Sequence, residues 1–241
     1  MLARGEASMT EKQEINRRRP KHREILLGIL LLGSIWGFLE VVLGGGMRVA
    51  GIPYKGDVLT GLGIGCMAVA FAVYRRAALL IAVAVVAVAM KQLAVPILQL
   101  PLICKANSCL AVTLGGSALA GSVAVAGRRL NRGSLPRAAT GFSAGLLAAT
   151  GFYFIGMHVA PCRYLLSFNR PGGFAAFMLA EGLIWAAMGA LFFPVGYRVG
   201  ERLESRLVDL RIRRPAFYYL SSAGAIACCW IASAIAIARG L

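Results

Sequence analysis

The sequence predicts an all-α, polytopic integral membrane protein, a bundle of about seven transmembrane helices with its N-terminus in the cytoplasm. Three observations predict it. Of 241 residues, 59% are hydrophobic and only 15% charged, with a mean hydropathy of +0.72; a soluble domain of this length needs far more polar surface to cover its core. The apolar residues fall in runs near 25–44, 57–74, 77–97, 108–126, 138–158, 174–197 and 216–237, most of them close to the roughly 20 helical residues that a hydrocarbon core of about 30 Å demands. The basic residues sit in short clusters between these runs, where topology signals belong. The net charge of +16 is therefore read as membrane topology, and no nucleic-acid partner is expected.

Taken in order, residues 1–24 are polar and basic, and read as a disordered cytoplasmic tail. The transmembrane domain then covers 25–241. Its first run is not read as a cleaved signal peptide, because a long basic tail precedes it and no small-residue cleavage pattern comes after it. The second run is short, and Gly61, Gly63 and Gly65 loosen it. Arg75 and Arg76 separate it from the third, and a polar break at 98–107 separates the third from the fourth. Arg128, Arg129, Arg132 and Arg137 mark the loop before the fifth. After the sixth run, residues 198–214 place Val199, Leu203, Leu207 and Leu210 on one helical stripe among Arg202, Arg206 and Arg213. Such a basic amphipathic stretch lies on an anionic leaflet, docks on a partner, or simply extends its helix.

Loops must alternate sides, and their charges do. Nineteen Lys and Arg fall on the side of the N-terminus and six on the other, with Lys91 inside a run. The excess assigns the N-terminus to the cytoplasm and the C-terminus to the exterior, in a bacterial plasma membrane.

Three ionisable residues interrupt apolar runs: Glu40 in WGFLEVVLG, Lys91 in AVAMKQLAV and Glu181 in FMLAEGLIW. A charge at a helix centre costs about 2.5 to 3.5 kcal/mol on insertion scales, so each should face protein or water. All three, with Gln92, lie in the outer half of their runs. They are read as the lining of a cup that opens outward and takes a small-molecule solute, against the plainer reading of an ion pair between Lys91 and one of the two glutamates.

The same side receives Cys104, Cys109, His158 and Cys162. Three readings stay open: small apolar residues at helix ends; a disulfide between Cys104 and Cys109, or from one of them to Cys162; or a metal site made from all four, at a spacing that matches no strong zinc signature. The small-residue patterns GLGIG (61–65), GFSAG (141–145) and SALAG (117–121) allow close helix approach. No H-E-x-x-H, G-x-S-x-G or phosphate-binding loop is present, so a binder is favoured over an enzyme, and no cofactor is assigned.

The segment GSIWGFLEVVLGGGMRVAGIPYKGDVLTGLGIG, residues 33–65, resembles the start of the substrate-binding components of energy-coupling factor transporters: a first helix ending in Gly, a loop with GIP, and a glycine-rich second helix. The resemblance implies a membrane-embedded binder that captures a vitamin or metal ion from outside, and a membrane coupling subunit and ATPases as partners. That family has six helices, against seven here. The alternatives from other classes are a membrane redox or metal-handling enzyme built on the external cysteines, and a structural subunit of a larger complex.

Overall fold

The computed structural model describes residues 21–52 and 55–241, the side chains of Lys55, Leu102 and Cys104 excepted. The described residues form helices without any strand. The helices α1 (His22–Val49), α2 (Gly56–Tyr74), α3 (Ala78–Leu98), α4 (Ala106–Arg132) and α5 (Ser134–Val159) are each long and apolar enough to cross a membrane. A single turn, α6 (Arg163–Leu166), comes next. Two further spans, α7 (Gly173–Arg213) and α8 (Pro215–Ala238), bring the number of candidate crossings to seven.

Residues 1–20 of the expected basic tail lie outside the described residues. Its last residues join the first helix, which begins at His22 instead of near 25. Glu24 explains the early start: its carboxylate accepts the Lys21 backbone N–H at 2.6 Å and the Arg211 guanidinium at 2.7 Å, so a carboxylate in the first turn both ties the helix start and anchors α7.

Residues 198–214 form no separate amphipathic element. Residues 198–213 continue α7, whose 41 residues span roughly 60 Å at the α-helical rise. That is about twice the hydrocarbon thickness, so the basic half of α7 projects past the bilayer. At this end Arg137, buried, clamps Glu201 with two hydrogen bonds of 2.9 and 3.0 Å and donates a third to the Leu130 carbonyl at 2.8 Å. Its guanidinium lies 4.0 Å from the centre of the Tyr197 ring. The Tyr197 hydroxyl donates to Asn131 and is met by Arg75. The bidentate, stacked Arg137 thus ties α5 and the end of α4 to α7, and Arg75 ties the loop after α2 to the same Tyr197.

In the bundle, α2 sits among α1, α3, α4 and α7, while α5 closes the far side between α4 and α7. Ile64, Met67, Leu80, Leu119, Phe193 and Tyr197 fill the centre. A second, aromatic cluster of Phe152, Phe177 and Trp185 packs where α5 meets α7. The outermost span is α8, which leans on α1 and on the last turn of α3.

Candidate functional site

The end of the bundle opposite the Arg137 clamp gathers the polar intramembrane residues, and local backbone geometry is the reason. Helix α1 is interrupted by one π-helical turn, Leu39–Leu43, and α7 by another, Met178–Gly182. The first carries Glu40 and the second carries Glu181. An extra residue in a helical turn rotates the register of the downstream helix and frees a carbonyl from the regular ladder, which is why π turns collect at functional positions. Helix α3 breaks as well, directly after Lys91, through a turn at Gln92–Leu93.

Lys91 and Glu40 meet there. The ammonium of Lys91 donates to Glu40 Oε2 at 2.6 Å, and the two side chains are only 12% and 6% exposed. The Trp36 indole N–H donates to the other carboxylate oxygen at 3.2 Å. Trp36 lies one helical turn before Glu40 on the same face, so the local sequence WGFLE supplies both a carboxylate and the donor that orients it.

This pair forms part of the wall of a cavity of about 600 Å3, within the range of pockets that hold small organic molecules. Leu59, Ile64, Met67 and Val112 give it an apolar floor, and Trp36 and Trp185 both face it. Arg48, Lys105, Asn107 and Ser108 supply further polar lining, and the cavity reaches the surface beside the exposed Arg48 and Gly56. Two polar atoms of the wall are buried without a hydrogen-bond partner among the described residues, Trp185 Nε1 and Asn107 Oδ1. Buried polar atoms in native proteins are almost always satisfied, so these two offer one donor and one acceptor to an occupant.

The other expected lining residues stand apart. Gln92 points to the α3–α4 contact, where its amide donates to Cys109 Sγ at 3.3 Å. Glu181 accepts the Tyr164 hydroxyl at 2.5 Å and lies within electrostatic reach of Asp57. Asp57 is buried, and its Oδ1 lacks a hydrogen-bond partner; the Trp185 indole is near it but outside hydrogen-bond geometry. Partial burial, and next the neighbouring Glu181, push the Tyr164 phenol up, so it stays a donor at any physiological pH.

Of the external cysteines and histidine, Cys104 has a side chain outside the described residues. Cys109 and Cys162 carry free thiols, and among the described residues no cysteines lie at disulfide distance and no group of three or more His, Cys, Asp and Glu is placed to hold a metal ion. Cys162 instead caps α6, its sulfur accepting the Leu165 N–H at 3.4 Å, and borders the cavity. His158 is exposed.

Sequence reasoning missed Trp36, Trp185, Arg48 and Lys105 as lining. The two tryptophans had a readable signal: Trp36 stands four residues before Glu40 and Trp185 four after Glu181, the spacing that puts two side chains on one helical face. No family model, curated protein or solved structure matches the chain.

Proposed function

We propose that the chain is a membrane-embedded subunit that binds a small solute in the cavity between Trp36 and Trp185, in the plasma membrane of a bacterium. In this reading the N-terminus is cytoplasmic, the C-terminus external, and the cavity opens outward. The observation that carries it is the cavity itself, which has a buried ion pair in its wall and unsatisfied polar atoms facing an apolar floor. A pair that served only to orient α1 against α3 needs no space beside it, whereas here both charged groups border that space. The charge bias of the loops supports the orientation. The likeness of residues 33–65 to energy-coupling factor substrate-binding components supports a coupling subunit and ATPases as partners.

The test separates binding from folding. Removing only one charge leaves its partner buried and unpaired, so the informative variant is the neutral double replacement Glu40→Gln with Lys91→Met. Wild type purified in mild detergent is expected to carry a co-purifying solute, identified by mass spectrometry at near one per chain. The double variant is expected to keep its folded yield and lose the solute. A solute retained equally by both, or absent from both, rejects this function.

A further inference from the structure

The cavity wall is unbalanced in charge. Lys91 and Glu40 neutralise each other at 2.6 Å. Arg48, exposed at the mouth, and Lys105, half-buried on the turn before α4, also border the cavity, and neither makes an ion pair among the described residues. Two unpaired cationic side chains thus border one concave space, and Glu40, the carboxylate side chain in the wall, is already paired. A low-dielectric wall around a concave site concentrates that positive potential inside it.

We infer that the occupant is a small organic anion with an apolar body, its charged group held between Arg48 and Lys105 and its body lying along Trp36 and Trp185. This rests on the solute-binding reading above and names its substrate class. Three features of the wall agree. Arg supplies a planar fork suited to a carboxylate, and Lys a mobile point charge. Trp185 Nε1, in a side chain more than nine-tenths buried, makes no hydrogen bond of full geometry among the described residues, although the Asp57 carboxylate is near it, and it can donate to an anion's oxygen. The aromatic faces and the apolar floor contribute by burial of the ligand's body. A cationic solute would meet two like charges and find its natural partner, Glu40, already occupied.

Three probes of one shape and different charge test this: 3-phenylpropionate, 3-phenylpropionamide and 3-phenylpropylamine. Each is titrated at millimolar concentration onto the full chain in phosphatidylcholine nanodiscs, and tryptophan fluorescence and melting temperature are read. The carboxylate is expected to bind at least about tenfold more tightly than the amide, a size consistent with charge-assisted hydrogen bonds. The amine is expected to give no shift. Arg48→Gln and Lys105→Gln are each expected to weaken the carboxylate by about tenfold while leaving the unliganded melting temperature unchanged, because neither side chain makes an ion pair among the described residues. Equal binding of amide and carboxylate, or carboxylate binding indifferent to both substitutions, overturns the anion class and leaves solute binding standing. No shift with any of the three overturns the anion class, while solute binding is decided by the co-purification experiment above. A lipid could offer the same anionic chemistry, so the titration is repeated with phosphatidylglycerol in the nanodisc. Unchanged affinity supports a free solute; loss of carboxylate binding assigns the cavity to a lipid headgroup and overturns the solute.

Discussion

At Lys91 and Glu40 the physics of a buried charge can be taken as far as a number. Each group was conspicuous in the sequence, because an ionisable residue in an apolar run must find a partner or water. Which glutamate Lys91 takes was not readable. The choice depends on the π turn that re-aims Glu40 and on the break in α3 after Lys91, and no spacing in either run announces them. Glu181, the alternative partner, is engaged by Tyr164 at 2.5 Å. Truncating one member of such a pair strands the other. Lys91→Met alone is expected to cost about 3 kcal/mol or more of stability, whereas adding Glu40→Gln should recover most of that loss, since no uncompensated charge is then buried. Thermal unfolding of the two variants beside wild type checks it. A double variant as unstable as the single would mean that the pair holds the helices through geometry and not through charge compensation.

Among the elements, glycine decides which helices cross closely. GFSAG and GLGIG were readable as close-approach motifs, and both face α7. A Cβ on Gly189 would overlap the Gly141 carbonyl oxygen, and one on Gly141 would overlap that of Gly189. Gly196 stands against the Gly65 backbone in the same way. The third motif, SALAG, has the same composition and a different fate, since Ser117 and Gly121 are exposed and nothing approaches Gly121 within 4 Å. Composition identifies helices that can approach closely; only the bundle arrangement says which do. Gly189→Leu is therefore expected to destabilise the fold by about 2 to 3 kcal/mol, the scale of overpacking in a close-packed interior, and to lower the folded yield. Gly121→Leu, of equal size in an equally apolar helix, should be nearly neutral. Detergent-resistant folded yield by size-exclusion chromatography distinguishes them, and equal losses would place the α5–α7 crossing elsewhere. The clamp of Arg137 on Glu201 left no such mark: Arg137 read as one loop cation among several, because its partner lies far along the chain in the extension of α7.

For the whole molecule, the number of spans and the segregation of charge were legible because the bilayer imposes them on any chain: backbone polar groups must be satisfied within each helix, and each crossing has a minimum length. The cavity was legible only as a tendency of polar groups toward one end. Its walls depend on the relative depth of helices that are distant in sequence, which is why Gln92 turns to Cys109 while Arg48 and Lys105 take part in the lining. The cavity, Cys162, α6 and the loop preceding α7 share one end of the bundle, and the Arg137 clamp with the basic loops shares the other. The proposed orientation puts the basic end in the cytoplasm, so single cysteines introduced at the exposed positions Asn169 and Arg129 should behave oppositely. A membrane-impermeant maleimide applied to intact cells, with the unsubstituted chain as the baseline for its own thiols, is expected to label Asn169→Cys directly and Arg129→Cys only after the membrane is opened. The reverse pattern would turn the cavity toward the cytoplasm, where an anion would be taken from the cell interior, and the capture of an external solute would then have to be abandoned even with the binding chemistry intact.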